Sequence, residues 1–483
     1  MIELQFPWIE AAILMPLIGM VWISVRRNPL LAQRDALIFT ALTLVLTAGV
    51  WLNFATASTT EGLGRGNLTG PLFGEPWLAV DAFSAPLLPM AALLYLLTVL
   101  VTLRTKSRRF SFAGALASEA ILLATLSCKH PLGVGVLLVV GSLWPLWELR
   151  RRGKPTRVYL LHFGLFALLL AAGGLVMALQ DSATGYSVWG VGLLSAAVLV
   201  RSGVFPFHCW VTDLFEHASF GLAILFITPM LGAYAAVRLV MPIAPEWALR
   251  TITLMALWTA VYAAAMALIQ TDVRRFFCFS LLSHSALVLV GLEVATPVAL
   301  AGALCVWLSV GLSLAGLGLT LRSLEARTGR LSLADYHGLY HRVPMLAAFF
   351  LLTGLASVGF PGTFGFFGTE LLVDGVVQVY PFVGVAVVLA ATLNGIAIMR
   401  AYFRIFTAAH HTTAVSLQGR LPERIAVLTL SGVILGGGLF PQAGISSRYR
   451  AAMELIQARE FSLDAAAPSE PLLVADADAS VAP

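Results

Sequence analysis

The chain has 483 residues, of which 59% are hydrophobic and 11% charged, and its mean hydropathy is +0.88. A soluble domain carries about 25% charged residues and cannot bury this much apolar surface, so a water-facing globule is excluded. The net charge of +5 sits in short basic clusters between apolar runs, which speaks for membrane topology and against nucleic-acid binding.

A spanning helix needs about 20 mostly apolar residues. Such runs lie near 8–25, 36–55, 84–103, 110–127, 131–148, 158–179, 187–205, 219–240, 250–269, 276–295, 297–321, 343–376 (long and interrupted), 380–403 and 424–441. They predict an all-α integral membrane protein with about 14 transmembrane helices. The N-terminus carries Glu3 and Glu10 and no basic cluster, so the first run reads as a retained helix. The Gly/Thr-rich segment 56–83 is expected to be a loop holding a short hairpin. The Ala/Asp/Pro-rich tail is expected to be disordered.

Basic residues follow odd-numbered helices: Arg26, Arg27 and Arg34; Arg104, Lys106, Arg108 and Arg109; Arg150, Arg151, Arg152, Lys154 and Arg157; Arg274 and Arg275; Arg322, Arg327, Arg330 and Arg342; Arg404, Arg420 and Arg424. The loop after the eighth helix has Arg238 and Arg250. By the positive-inside rule both termini lie on the non-cytoplasmic side of a bacterial inner membrane, which an even helix count requires. Cys128, Cys209, Cys278 and Cys305 have no paired spacing and read as small hydrophobes.

Two apolar runs are interrupted by proline in similar settings, RSGVFPF around Pro206 and SVGFPGT around Pro361. They fall in the seventh and twelfth helices. Five helices separate them, an odd number, so two such units are inverted relative to each other, as in transporters with discontinuous helices. The expected division is 1–109 for helices 1–3, 110–240 for the first repeat and 250–405 for the second. Residues 406–450 follow as helix 14 and 451–483 as a disordered tail.

An ionisable side chain at the centre of a spanning helix costs about 2.5–3.5 kcal/mol, so those that occur are candidates for function. Glu119 lies midway along the fourth helix; it carries a proton or is a neutral carboxyl bound to a neighbour. Arg201 lies near the end of the seventh helix and either ion-pairs in the bundle or snorkels to the interface. Arginine cannot lose its proton in a relay, so its role is a fixed charge. His284 and His162 can relay protons near neutral pH or rest on a carbonyl. Glu370 and Asp374 share a helix face and line a water-filled exit or mark the interface. His410 and His411 lie in an exposed loop, and Asp213, Glu216 and His217 read as capping residues better than as a metal site. No phosphate loop, nucleophile elbow or cofactor motif occurs, so no cofactor and no self-contained enzyme site is expected.

The order of these features resembles the antiporter-like subunits of respiratory complex I and their Mrp relatives, the M-type subunit most of all, from about residue 75 to 450. Glu75 to Leu87 (EPWLAVDAFSAPL) looks like the family's segment before the third helix. Pro206 to Asp213 (PFHCWVTD) is similar to its P-L/F-H-x-W-L-P-D motif. Gln270 to Arg275 (QTDVRR) with Ser280 to Ser285 (SLLSHS) resembles its Q-x-D-I/V-K-R block and the following S-x-S/A-H-M-G. Gly359 to Gly368 (GFPGTFGFFG) resembles its second helix break. The resemblance implies two inverted five-helix half-channels joined by a polar axis at mid-membrane. Glu119 and His284 match family polar positions. At the others this chain departs: Val139 or Val140 replaces a glutamate, Arg201 and Met230 replace lysines, and Val310 replaces a histidine. Thr369, with Glu370 adjacent, stands where the family has lysine or glutamate.

Three functional readings follow. The first is a proton- or cation-translocating subunit of a complex I-like or antiporter-like assembly, with Glu119, His284 and Glu370 on the path and any redox chemistry on partner subunits. The second is the membrane subunit of an inorganic-carbon-uptake (DAB-type) complex with a cytoplasmic partner. The third is a non-conducting scaffold that docks other subunits.

Overall fold

The computed structural model describes residues 6–26, 28–56, 77–103, 107–108, 110–180, 186–294, 296–407 and 420–466. Most of the expected 56–83 hairpin, Arg27, Arg104, Lys106, Arg109, the His410-His411 pair and the tail beyond 466 lie outside them.

Among the described residues, nine helices are long and apolar enough to cross a bilayer, and five shorter apolar ones accompany them. The first six crossings are α1 (Trp8–Ser24), α2 (Pro29–Thr56), α3 (Leu87–Val101), α4 (Phe112–Ser127), α5 (Pro131–Arg151) and α6 (Arg157–Ala178). The seventh is split into α7 (Val188–Ser202) and α8 (Cys209–His217). The eighth consists of α9 (Phe220–Ile227), α10 (Leu231–Ala235) and a π-helical turn, Ala236–Val240. Then come α11 (Glu246–Ile269), α12 (Val273–Glu293) and the long α13 (Pro297–Thr328). The twelfth crossing is again split, into α14 (Pro344–Ser357) and α15 (Phe364–Val377), followed by α16 (Pro381–Phe406) and α17 (Leu421–Leu439). This is the expected fourteen-crossing bundle, with discontinuous seventh and twelfth members in two inverted five-helix units.

The two breaks use the same local chemistry. Gly203 ends α7 at φ 67°, and a Cβ there would meet the Val211 side chain at 2.7 Å. Gly359 follows α14 at φ 84°, and a Cβ would meet Thr369 Oγ1 at 2.8 Å. Only glycine takes the left-handed conformation and the close approach together. Proline at 206 and 361 removes the donor that would have continued each helix. The first break is partly satisfied by protein, since Phe205 N donates to Thr259 Oγ1 at 3.0 Å, while 205–206 and 360–362 are exposed at the surface of the chain.

α13 is the central post, with nearly every residue from Ala299 to Leu324 buried. α15 crosses it backbone to backbone. A Cβ on Gly302 would lie 2.4 Å from the Leu372 nitrogen, one on Gly368 2.9 Å from the Val306 nitrogen, and one on Gly375 2.3 Å from the Ala299 nitrogen. Without a hydrophobic force between helices in lipid, close packing through small residues supplies the attraction.

Two expectations need correction. The run 219–240 is not one helix, because Thr228–Met230 interrupts it and Met230 adopts φ 54°. The disordered tail does not begin at 451: Pro441–Ala466 forms α18. Its charges are interleaved with apolar residues, so a search for wholly apolar runs passes over it. α18 lies along the face that carries the even-numbered loops. Arg448 is buried there and donates to the carbonyls of Phe83 (3.1 Å) and Ala82 (2.6 Å), and Arg459 donates to Ala244 (3.1 Å).

Candidate ion pathway

Glu119 points into the bundle from the middle of α4. It is 0% exposed, and neither carboxylate oxygen has a hydrogen-bond partner among the described residues. α4 begins at Ser111, whose hydroxyl accepts from Gly114 N, so the cap fixes the register that turns Glu119 inward. One residue before it, Ser118 shares a 2.9 Å hydrogen bond with Tyr95 of α3. An unpaired carboxylate at this depth is untenable, so the group is neutral or hydrated.

His284 lies inside the bundle on α12, in the second repeat. It is 2% exposed, and Nδ1 lies 2.7 Å from the Ser280 carbonyl. The Ser357 backbone, at the end of α14, is close enough to interact with the ring. Beside it Ser283 donates to the Ala260 carbonyl (2.7 Å) and accepts from Asn394 Nδ2 (2.7 Å). Asn394 is fully buried on α16, and its Oδ1 has no partner among the described residues. This polar row joins α11, α12 and α16. Sequence reading missed Asn394 because an amide carries no charge to mark it.

Arg201 does neither of the two things expected of it. It is 4% exposed, so it does not snorkel, and among the described residues it makes no ion pair. Its guanidinium sits in an aromatic box, with ring centroids of Phe226 at 4.6 Å, Phe163 at 5.5 Å and Trp210 at 5.9 Å. Gly203 in the left-handed conformation stops α7 just beyond it and keeps the side chain inside.

Glu370 and Asp374 lie together on α15 but on the outer surface of the chain. Gly368, Leu372 and Gly375 are pressed against α13, and Glu370 and Asp374 fall on the opposite side of a 100° per residue wheel. They therefore do not line an exit within this chain. His162 is only part-buried on α6, with Nδ1 2.8 Å from the Val158 carbonyl. Asp213 is not a cap: it sits inside α8 and pairs with His217 at 3.1 Å. Of the positions where the resemblance implies polar groups, Met230 and Val310 are buried and apolar, and Val140 faces outward.

Two further charged groups escaped sequence reading. Glu148, near the end of α5, is 6% exposed, pairs with Arg152 at 2.8 Å and accepts from Ser219 N at 3.0 Å. Asp81 pairs bidentately with Arg238 (2.7 and 3.0 Å) and lies 3.7 Å from Lys129 Nζ. The π turn aims Arg238 at this carboxylate, and Tyr234 Oη accepts from its Nε at 3.1 Å. Burial alone would raise the Asp81 carboxyl. The charge and hydrogen bonds of Arg238, helped by Lys129, outweigh it and hold the group below the usual carboxylate range. Beside this cluster a mainly apolar cleft of about 1340 Å³ runs between α5, α6 and α18.

The fold and its buried groups define an integral multi-pass membrane protein of the inverted-repeat, broken-helix class. A family model described as NADH:quinone oxidoreductase/Mrp antiporter, TM, matches residues 158–394, and the chain is similar to the antiporter-like subunits of that family. It is 28% identical over 483 residues to NAD(P)H-quinone oxidoreductase chain 4 1 of Synechococcus sp. (strain JA-3-3Ab), covering 91% of each chain. It is 27% identical to NADH-quinone oxidoreductase subunit M of Pseudomonas aeruginosa, covering 90% of this chain and 94% of that one. Its fold is shared by a chain of respiratory complex I from Thermus thermophilus, with TM-score 0.79 at 22% identity over 93% and 99% of the two chains. A chain of the Mrp complex from Dietzia sp. matches at TM-score 0.77 and 18% identity, over 95% and 99%.

Proposed function

We propose that the chain is a membrane subunit of a larger complex I-like or antiporter-like assembly and that it carries protons, or another cation, across the bilayer. The observation that carries this reading is Glu119, an ionisable side chain fully enclosed in the bundle with no partner for either oxygen among the described residues. A cost of that kind is retained at proton and ion paths. The names of the relatives, quinone oxidoreductase subunits and an Mrp complex, support the same reading.

Glu119 serves the first repeat (110–240), and His284 with Ser283 and Asn394 serves the second (250–405). Water completes both paths where Met230 and Val310 offer no proton. Arg201 is a fixed charge. Glu370 and Asp374 face a neighbouring subunit. The basic loops support a topology with the odd-numbered connections in the cytoplasm of a bacterial cell and both termini outside its inner membrane.

The apolar residues at 140, 230 and 310 favour a second reading, a non-conducting scaffold, and one assay separates the two. In proteoliposomes with an imposed proton gradient, the wild type should pass protons above the protein-free background and Glu119→Gln should fall at least about tenfold, as loss of a relay group does. Wild-type flux at background removes the conducting reading.

A further inference from the structure

The arginines drawn into this bundle are bound to oxygen, except one. Arg238 has Asp81, Arg274 has Glu325, and Arg327 has Glu423. Arg322 donates to the Thr98 carbonyl and the Thr102 hydroxyl, and Arg448 to the carbonyls of Ala82 and Phe83. Arg201 alone has only the faces of Phe163, Trp210 and Phe226, and its Nε and Nη2 make no hydrogen bond among the described residues. The nearby Tyr159 hydroxyl is already committed as a donor to the Ser142 carbonyl at 2.8 Å. Aromatic faces attract a guanidinium but satisfy none of its N–H donors. A buried charge in this state calls for an oppositely charged partner.

The place for that partner is adjacent. Arg201 lines a cavity of about 20 Å³ together with Ser202, Trp210, Met230, Gly232 and Ser285. The Ser202 hydroxyl is also buried and has no hydrogen bond among the described residues. The cavity therefore joins an unpartnered cation to an unpartnered hydroxyl donor. Its volume exceeds the roughly 10–15 Å³ that one water requires, and it leaves no space for a group of several heavy atoms. Among the described residues no carboxylate lines it.

We propose that Arg201 and Ser202 bind a small monatomic anion, of the chloride class, in the cavity between α7, α8 and the interruption of the eighth crossing. The anion sits against Nε and Nη2, and the Ser202 hydroxyl donates to it. The three rings shield the pair from lipid. Bromide fits the same place, and sulfate and gluconate do not.

The test uses the purified full-length chain in detergent and no transport measurement, so its outcome stands whether or not the chain conducts. Radioactive chloride binding is measured by scintillation proximity, and the thermal unfolding midpoint is followed as chloride replaces gluconate at constant ionic strength. Saturable binding of a single chloride per chain is expected, displaced by bromide and not by sulfate, with a midpoint that climbs with chloride. Arg201→Gln should abolish both effects. Ser202→Ala keeps the charge, removes only the hydroxyl, and should weaken chloride about tenfold, as loss of one hydrogen bond to a charged group does. Should Arg201→Gln fail to fold, Ser202→Ala decides. Absence of saturable binding, or wild-type binding in Ser202→Ala, overturns the proposal.

Discussion

Replacing Asp81 by Asn tests how the bundle is fastened on its even-loop face. The carboxylate receives two short bonds from Arg238 and one longer contact from Lys129, and it joins the segment before α3 to the end of the eighth crossing. Removing one partner of a buried ion pair costs about 3–5 kcal/mol, because the other charge is stranded. Here the side chains are 17% and 11% exposed, and Arg238 keeps Tyr234 Oη and the faces of Phe83 and Tyr234. The lower end of that range, about 3 kcal/mol, is therefore expected. Unfolding in mixed micelles, followed by tryptophan fluorescence, measures it for Asp81→Asn, Arg238→Gln and the double variant. The double variant should lose much less than the sum of the singles, with a coupling of about 2 kcal/mol. Additivity within about 0.5 kcal/mol would refute the pairing. The pH dependence has a fixed sign. Because the folded carboxyl lies below its unfolded value, the stabilisation is fully present above about pH 4 and is lost as pH falls through the folded value.

Gly302→Ala drives a methyl into the α15 backbone, whose Leu372 nitrogen would be 2.4 Å away, and should cost at least about 1–3 kcal/mol in the same assay. Arg448→Met removes two charge-assisted bonds to the carbonyls of Ala82 and Phe83. It should destabilise by about 2 kcal/mol and speed protease cutting within 441–466; unchanged cutting would show that α18 does not depend on that anchor. Asn394→Leu breaks the link to Ser283 and should lower proton flux in proteoliposomes about tenfold if the row of polar groups carries protons; full flux would remove Asn394 from the path.

Much of this architecture was legible in advance. The apolar runs located the crossings, and proline beside glycine located both broken helices, since these residues act locally. What stayed hidden depended on neighbours. Glu370 and Asp374 share a face as their spacing requires, but the glycines at 368 and 375, tied to α13, decide which way that face turns. Arg201 was expected to ion-pair or to snorkel and does neither, because its aromatic box comes from α6, α8 and α9, three separate stretches of sequence. Asn394 and Glu148 draw their interest from partners more than 70 residues away. α18 was overlooked because a helix that lies across a bundle does not need the uniform hydropathy of one that pierces a membrane.

That last helix constrains how the molecule can work. Through Arg448 it grips the segment before α3, and through Arg459 it grips the loop after the eighth crossing, while its length rests on α13. It is a crossbar tied to the segment before the first repeat, to the connection between the repeats and to α13 of the second. Transporters that rock one half against the other need that face free to open and close. In this chain the crossbar ties those segments together, which opposes rocking and favours smaller movements, of side chains and of the unwound turns at Gly203 and Gly359.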